Sequence, residues 1–154
     1  MVTGRTETAV SIVSCGDKLV LLKRKTREGD PWSGDMCFPG GFVKEEEAPV
    51  EAALRELREE TSIDTSNLEM RGELGVFHPV RSPHINVHPF WFYSEDLVDI
   101  IPGDEIERGK WYTIGEYQLK HDKVRGDFVV WNGDIVWGLT FRIYSAFLQR
   151  SLGH

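Results

Sequence analysis

Cysteine is scarce: Cys15 and Cys37 are the only two. That is too few for a disulfide framework and too isolated for a zinc site, so both are expected to be reduced packing residues. Long apolar runs are missing too. None reaches the roughly 18 residues needed to cross a bilayer, and the amino-terminal stretch MVTGRTETAV has no charged-then-apolar leader pattern, so a cytoplasmic protein without membrane contact is expected. Basic charge is short as well, with 18 Lys and Arg against 25 Asp and Glu and a net charge of −7, which argues against nucleic acid as a partner. Repeats, low-complexity tracts and Ser- or Pro-rich linkers are absent, so residues 1–154 read as one domain of ordinary globular composition, 40% hydrophobic and 28% charged.

Among what is present, Thr8 to Ser14 and Lys18 to Arg24 are β-branched or apolar runs split by Cys15-Gly16-Asp17, which predicts a hairpin. From Lys25 to Cys37 the composition is charged and Gly/Pro-rich without period, which predicts a long irregular loop. Further strands are expected at Glu69 to Phe77, Asn86 to Tyr93 and Lys110 to Ile114, with loops at His78 to Pro83 and Asp96 to Gly109. Phe128 to Trp131 and Asp134 to Trp137 flank Asn132-Gly133, a hairpin signal, and an amphipathic helix follows from Gly138 to Leu152. Strands and helices interleaved in this way predict an α/β fold, a mixed sheet with helices on both faces.

The clearest helix runs from about Glu47 to Thr61, with acids and Pro49 at its start and Val50, Ala53, Leu54 and Leu57 on one apolar stripe. Glu56, Glu59 and Glu60 fall at i, i+3 and i+4 and are expected to share the opposite face, with Ala52 leaving space beside them. Such acids repel unless a cation sits among them, and hard oxygen ligands suit Mg²⁺ or Mn²⁺. Arg55 is placed to pair with Glu59 one turn on. Upstream, Gly40-Gly41 allows close backbone approach to a ligand, and a carbonyl there is a candidate further ligand.

The stretch GFVKEEEAPVEAALRELREETSI resembles the Nudix box, G-x5-E-x7-R-E-U-x-E-E-x-G-U, where U is a bulky aliphatic residue. Gly41, Glu47, Arg55, Glu56, Leu57, Glu59, Glu60 and Ile63 match; Ser62 stands where the family has a helix-ending glycine. The resemblance implies an α/β/α sandwich and hydrolysis of a diphosphate linked to another moiety. It also implies that Glu56, Glu59 and Glu60 bind metal with the Gly40 carbonyl, supported by Glu47. In such hydrolases the general base is either the first glutamate of the box helix, here Glu56, or an acid in a later loop. Glu105, next to Asp104 and six residues before Trp111, resembles that later acid and is a candidate base or ligand. Arg55, Glu56, Glu59 and Glu105 are thus the expected catalytic residues.

The upstream stretch LLKRKTREGDPWSGDMCFPGG resembles the motif of the coenzyme A diphosphatase branch, although Asp30 stands where that branch has an arginine. The segments RSPHINVHPFW and WGLTFRI also resemble that branch. This implies cleavage of coenzyme A or an acyl derivative to 3′,5′-ADP and a phosphopantetheine, with ADP-ribose or another nucleoside diphosphate derivative as the alternative substrate. Arg24, Lys25, Arg27 and Arg81 are candidate phosphate contacts, Trp32 a candidate stacking surface for adenine, and Gly41 part of the substrate cradle. A silent nucleotide-binding module would have no need of the full set of carboxylates. Many members of this family pair as dimers, so the resemblance admits a homodimer, while the sequence itself leaves the oligomeric state open.

Overall fold

The structure is a computed structural model that describes residues 6–29 and 34–152. In chain order the elements are β1 (Thr6–Cys15), β2 (Lys18–Arg24), β3 (Met36–Cys37), β4 (Gly40–Phe42), α1 (Pro49–Thr61), β5 (Glu69–Glu73), β6 (Ile85–Tyr93), β7 (Ile106–Thr113), β8 (Tyr117–Asp122), β9 (Gly126–Trp131), β10 (Asp134–Val136) and α2 (Gly138–Leu152).

β1 and β2 form the expected hairpin around Gly16-Asp17 but stay paired only beside the turn, at Ser14 with Leu19 and Cys15 with Lys18. Beyond it they part, and the short strands β3 and β4 fill the opening, β3 antiparallel to β2 and β4 antiparallel to β1. β6 runs parallel to β1 on its other side, β5 adds to β6, and β7 adds to β2. The result is a mixed sheet of seven strands, beside which β8, β9 and β10 make a second, antiparallel sheet. The indole N–H of Trp131 on β9 donates to the Thr113 carbonyl of β7 at 2.9 Å, joining the two.

Side-chain alternation on the strands separates the helices. Ala9, Phe90 and Phe92 pack against Ala52 and Ala53 of α1, and Val13, Val20 and Leu22 pack against Leu57. The alternate residues Ile12, Leu19, Leu21 and Trp91 pack with Ile143, Tyr144 and Phe147 of α2. Helices therefore cover both faces, as the interleaved pattern predicts. Full burial of Leu57 alone, at about 1.5–3 kcal/mol for a side chain of that size, does more to hold α1 in place than any exposed ion pair can.

Several elements differ from their expected limits. β3 and β4 lie where a loop and a bare Gly-Gly were expected; they are too short to carry a pattern and exist because β1 and β2 leave unpaired edges. α1 begins at Pro49 instead of Glu47, since Glu47 belongs to a preceding turn. The strand expected over Glu69 to Phe77 stops at Glu73, with Phe77 making an isolated bridge to Val87. β7 starts four residues earlier than the Lys110 start expected, and β8 is an additional strand, short and mostly exposed. Asn132 and Gly133 both adopt positive φ, 51° and 84°, which is the turn that their sequence predicts.

Candidate active site

The opening between β1 and β2 places Gly40 and Gly41 beside Val10 and Ala9 of β1, under the second half of α1. Both glycines are needed for lack of a side chain, for different reasons. A Cβ on Gly40 would lie 2.4 Å from the Ala9 carbonyl oxygen, whereas one on Gly41 would lie 2.6 Å from the carboxyl carbon of Glu56. The Glu56 carboxylate therefore rests directly on the Gly41 backbone.

Arg55 fixes that carboxylate. Its Nη1 donates to Glu56 at 2.7 Å, its Nε and Nη2 grip both oxygens of Glu47 at 2.8 and 3.0 Å, and Nη2 also donates to the Phe42 carbonyl of β4 at 2.9 Å. A planar guanidinium can satisfy these acceptors at once because its donors point in fixed directions. Hydrogen bonds from Arg55 and from the Lys44 amide hold the Glu47 carboxyl down at about 2, and the same pairing raises the Arg55 guanidinium further above its ordinary value. Glu47 reaches Arg55 through a turn closed by its own amide on the Lys44 carbonyl at 3.1 Å, in which Glu46 takes a left-handed φ of 66°. The expected Arg55–Glu59 pair is the loosest of these contacts, at 3.7 Å.

Glu60 departs from the expectation that the three helix acids share an exposed face. It is 9% exposed, and its carboxyl accepts from the Gly40 amide at 3.0 Å, while Glu59 is turned to solvent. The periodicity explains it: at about 100° per residue, Glu60 falls two turns after Ala53 on nearly the same line, which is the line that faces the sheet. Ala52, expected beside the acids, is likewise buried on the sheet. Burial first, then the charge of and a hydrogen bond with Glu56, push the Glu60 carboxyl up to about 8, against the pull of the Gly40 amide and Arg24. Among the described residues, no three His, Cys, Asp or Glu side chains form a ready-made cation cluster.

The donor set nevertheless fits a divalent cation. Two carboxyls, Glu56 and Glu60, are packed together at a Gly-Gly backbone, one of them with a strongly raised proton affinity, and Glu59 projects from the same turn with its side chain 57% exposed. Hard oxygen donors so placed suit Mg²⁺ or Mn²⁺.

Of the remaining expected residues, Arg24 at the end of β2 acts electrostatically on both Glu60 and Cys37. Arg27 and Glu105, expected as a phosphate contact and a base, face each other at 3.3 Å, both exposed. Lys25 is exposed, and its amide donates to the Glu105 carbonyl at 3.0 Å. Arg81 is exposed in the loop before β6 and is not brought to the carboxylates by any contact among the described residues. Trp32 and Asp30 lie outside the described residues. Two participants were not foreseen. The Phe42 carbonyl anchors Arg55, which no sequence signal reveals, and the Cys37 thiol, pushed up to about 12 by burial and then by the charge of Glu60, lies within electrostatic reach of that carboxyl. A separate cavity of about 260 Å³, lined by Lys23, Met36, Arg125, Asp134 and Trp137, lies on the α2 side of the sheet, away from these acids.

Ser62 keeps the left-handed exit that a glycine would provide, with φ 62°, its amide donating to the Arg58 carbonyl at 2.9 Å. Leu57 and Ile63, the aliphatic positions of the pattern, are both buried.

The family model for the NUDIX domain matches residues 5–131. An ADP-ribose pyrophosphatase of Methanocaldococcus jannaschii is 29% identical over 129 residues, covering 78% of this chain and 70% of that protein. Nudix hydrolase 3 of Caenorhabditis elegans is 34% identical over 82 residues, 53% of this chain, which spans only 33% of that protein's length. Among solved structures, the bifunctional NMN adenylyltransferase/ADP ribose pyrophosphatase of Francisella tularensis, complexed with AMP and Mn ion, superposes with a TM-score of 0.63 and 28% identity, over 72% of this chain and 34% of that one. A MutT/nudix family protein of Enterococcus faecalis gives a TM-score of 0.68 at 22% identity, over 97% of this chain and 62% of that one.

Proposed function

The chain belongs to the Nudix family, and from that premise we propose that it hydrolyses the diphosphate of a nucleoside diphosphate derivative, ADP-ribose foremost, with Mg²⁺ or Mn²⁺. The observation that carries this reading is the pair of packed carboxyls, Glu56 on Gly41 and Glu60 on the Gly40 amide, held by the Arg55 clasp. A divalent cation bound there would neutralise the diphosphate and lower the pKa of the attacking water.

The chain's own residues have separable tasks. Glu56 and Glu60, with the Gly40 carbonyl and Glu59 swung in from solvent, would hold the cation. Arg55 keeps Glu56 in one rotamer and ties it to β4 through Phe42, so the carboxylate is in place before substrate arrives. Arg24 at the end of β2, with Lys25 and Arg27 in the loop that follows it, would supply the positive charge that a chain of net charge −7 needs if a polyanion is to approach. Glu105, or Glu56 itself, would take the proton of the attacking water. ADP-ribose is placed first because the Methanocaldococcus jannaschii relative and the Francisella tularensis structure carry that activity in their names. Coenzyme A, which the stretch before Gly41 suggests, is placed second.

The test is product analysis with Mg²⁺ or Mn²⁺ and a panel of ADP-ribose, coenzyme A, NADH and dinucleoside polyphosphates. ADP-ribose should yield AMP and ribose 5-phosphate faster than coenzyme A yields 3′,5′-ADP. Turnover of coenzyme A alone would reverse the order of substrates. Replacing Glu59 by Gln should remove most turnover, by about a hundredfold, with the melting temperature nearly unchanged because the side chain is exposed.

A further inference from the structure

The segment between β6 and β7 closes on α1 from outside the helix. The last carbonyls of an α-helix have no partner within it. Here the Ile101 amide donates to the Thr61 carbonyl at 2.9 Å, and the Gly103 amide donates to the Glu60 carbonyl at 3.1 Å. Gly103 lies so close to the helix that a Cβ on it would stand 2.4 Å from the Glu59 carbonyl oxygen and 3.4 Å from the Glu60 Cα. Its φ is not in the left-handed region, so its own conformation does not call for glycine. The contact does. The chain then turns, with the Ile106 amide donating to the Gly103 carbonyl at 3.1 Å, and the Glu105 carbonyl accepts from the Lys25 amide at 3.0 Å. Residues 101–105 thus form a strap, with one end on the helical turn that carries Glu59 and Glu60 and the other on the loop that follows β2.

The geometry points to Gly103 as a positioning residue: by letting the strap lie flat on the Glu59–Glu60 backbone, it holds the main chain that carries Glu59, Glu60 and Glu105 at fixed mutual positions, from which their carboxylates can reach a cation and the attacking water. The inference rests on the metal-dependent hydrolysis proposed above. A methyl group at position 103 meets main chain, which no rotamer change can clear, so either the last turn of α1 or the strap must move, and the carboxylates they carry move with it. Linkage gives the converse: if the strap favours the cation-binding arrangement, a bound cation must favour the closed strap.

Gly103→Ala is compared with the wild type and with Phe147→Leu, a substitution in the α2 core chosen as a control for lost stability. Mn²⁺ affinity is read from the free-ion resonance signal, and kcat and KM are measured for ADP-ribose. Gly103→Ala should weaken Mn²⁺ binding and lower kcat by about tenfold to a hundredfold, the range seen when residues supporting metal ligands are altered, with KM changed much less. Phe147→Leu should leave Mn²⁺ affinity as in the wild type. Unchanged Mn²⁺ affinity and kcat in Gly103→Ala, or an equal loss in the control, would overturn the positioning role while leaving the hydrolase reading intact. A wild type that neither binds Mn²⁺ nor cleaves any diphosphate would overturn both. Should Gly103→Ala fail to fold, amide exchange on the wild type decides: added Mg²⁺ should slow exchange at Ile101 and Gly103, and exchange there that ignores Mg²⁺ would refute the inference.

Discussion

Gly40 and Gly41 are adjacent, yet an added methyl group meets different things at each. At Gly40 it meets the Ala9 carbonyl and Val10 of β1, so Gly40→Ala should break the β1–β4 pairing and lower stability by about 2 kcal/mol or more, read from a denaturant midpoint. At Gly41 it meets the end of the Glu56 side chain, which can swing aside. Gly41→Ala should therefore fold with a melting temperature close to the wild type while losing up to about a hundredfold in kcat, the order of loss that follows misplacing a reacting group by an ångström. Full activity in Gly41→Ala would mean that Glu56 need not sit where it does. Ser62 is a third backbone-determined position. An L-residue at φ 62° costs about 1–2 kcal/mol, so Ser62→Gly should raise stability by about 1 kcal/mol or somewhat less, glycine's extra freedom in the unfolded chain offsetting part of the gain.

At the scale of an element, α1 is held to its preceding turn by the Arg55–Glu47 clasp, and the clasp has a pH signature. The Glu47 carboxyl is depressed from 4.5 to about 2 by Arg55 and the Lys44 amide. A depressed acid contributes stability that is present in full above its unfolded value and is lost as pH falls through the folded value. Wild type and Glu47→Gln should thus differ by a constant amount above about pH 5 and converge as pH drops toward 2; a gap that survives to pH 2 would mean that the contact is not ionic. Arg55→Lys should not restore the clasp, because one ammonium cannot serve Glu47, Glu56 and the Phe42 carbonyl together. The helix was legible in the sequence because Pro49, the early acids and the spacing of Ala53 and Leu57 all agree, and so was α2. The strands β3 and β4 were not, since two or three residues carry no period and their pairing is dictated by where β1 and β2 diverge. Nor was β8, whose alternation rests on Tyr117 and Leu119 alone, in a short and mostly exposed run that reads equally as loop. Within the site, spacing placed Arg55, Glu56 and Glu59 on one stretch of α1, where the structure has them, but misjudged the face on which Glu60 lies. The i, i+3, i+4 spacing groups Glu60 with Glu56 and Glu59, but position 60 also lies on the Ala53 line, and the Gly40 amide gives its carboxyl a partner inside.

Across the whole molecule, the same feature sets stability against function. A chain of net charge −7 that buries Glu60 beside Glu56 gives up folding free energy to keep two carboxyls together. A ligand that binds only the folded state returns it, by an amount that grows with the logarithm of ligand concentration over its dissociation constant. Added Mg²⁺ or Mn²⁺ should therefore raise the melting temperature in a concentration-dependent way, and chelation should reverse the rise, whereas sodium chloride at matched ionic strength should not reproduce it. Glu60→Gln separates this from a general effect of charge. It keeps an acceptor for the Gly40 amide and removes the cost of burying an ionisable acid beside Glu56, so near neutral pH and without divalent cations it should melt above the wild type, yet its cation-induced rise should be largely lost together with hydrolysis. If instead Glu60→Gln melts below the wild type in chelator, the buried carboxyl is a structural anchor, and the cation must be sought among Glu56, Glu59 and Glu105.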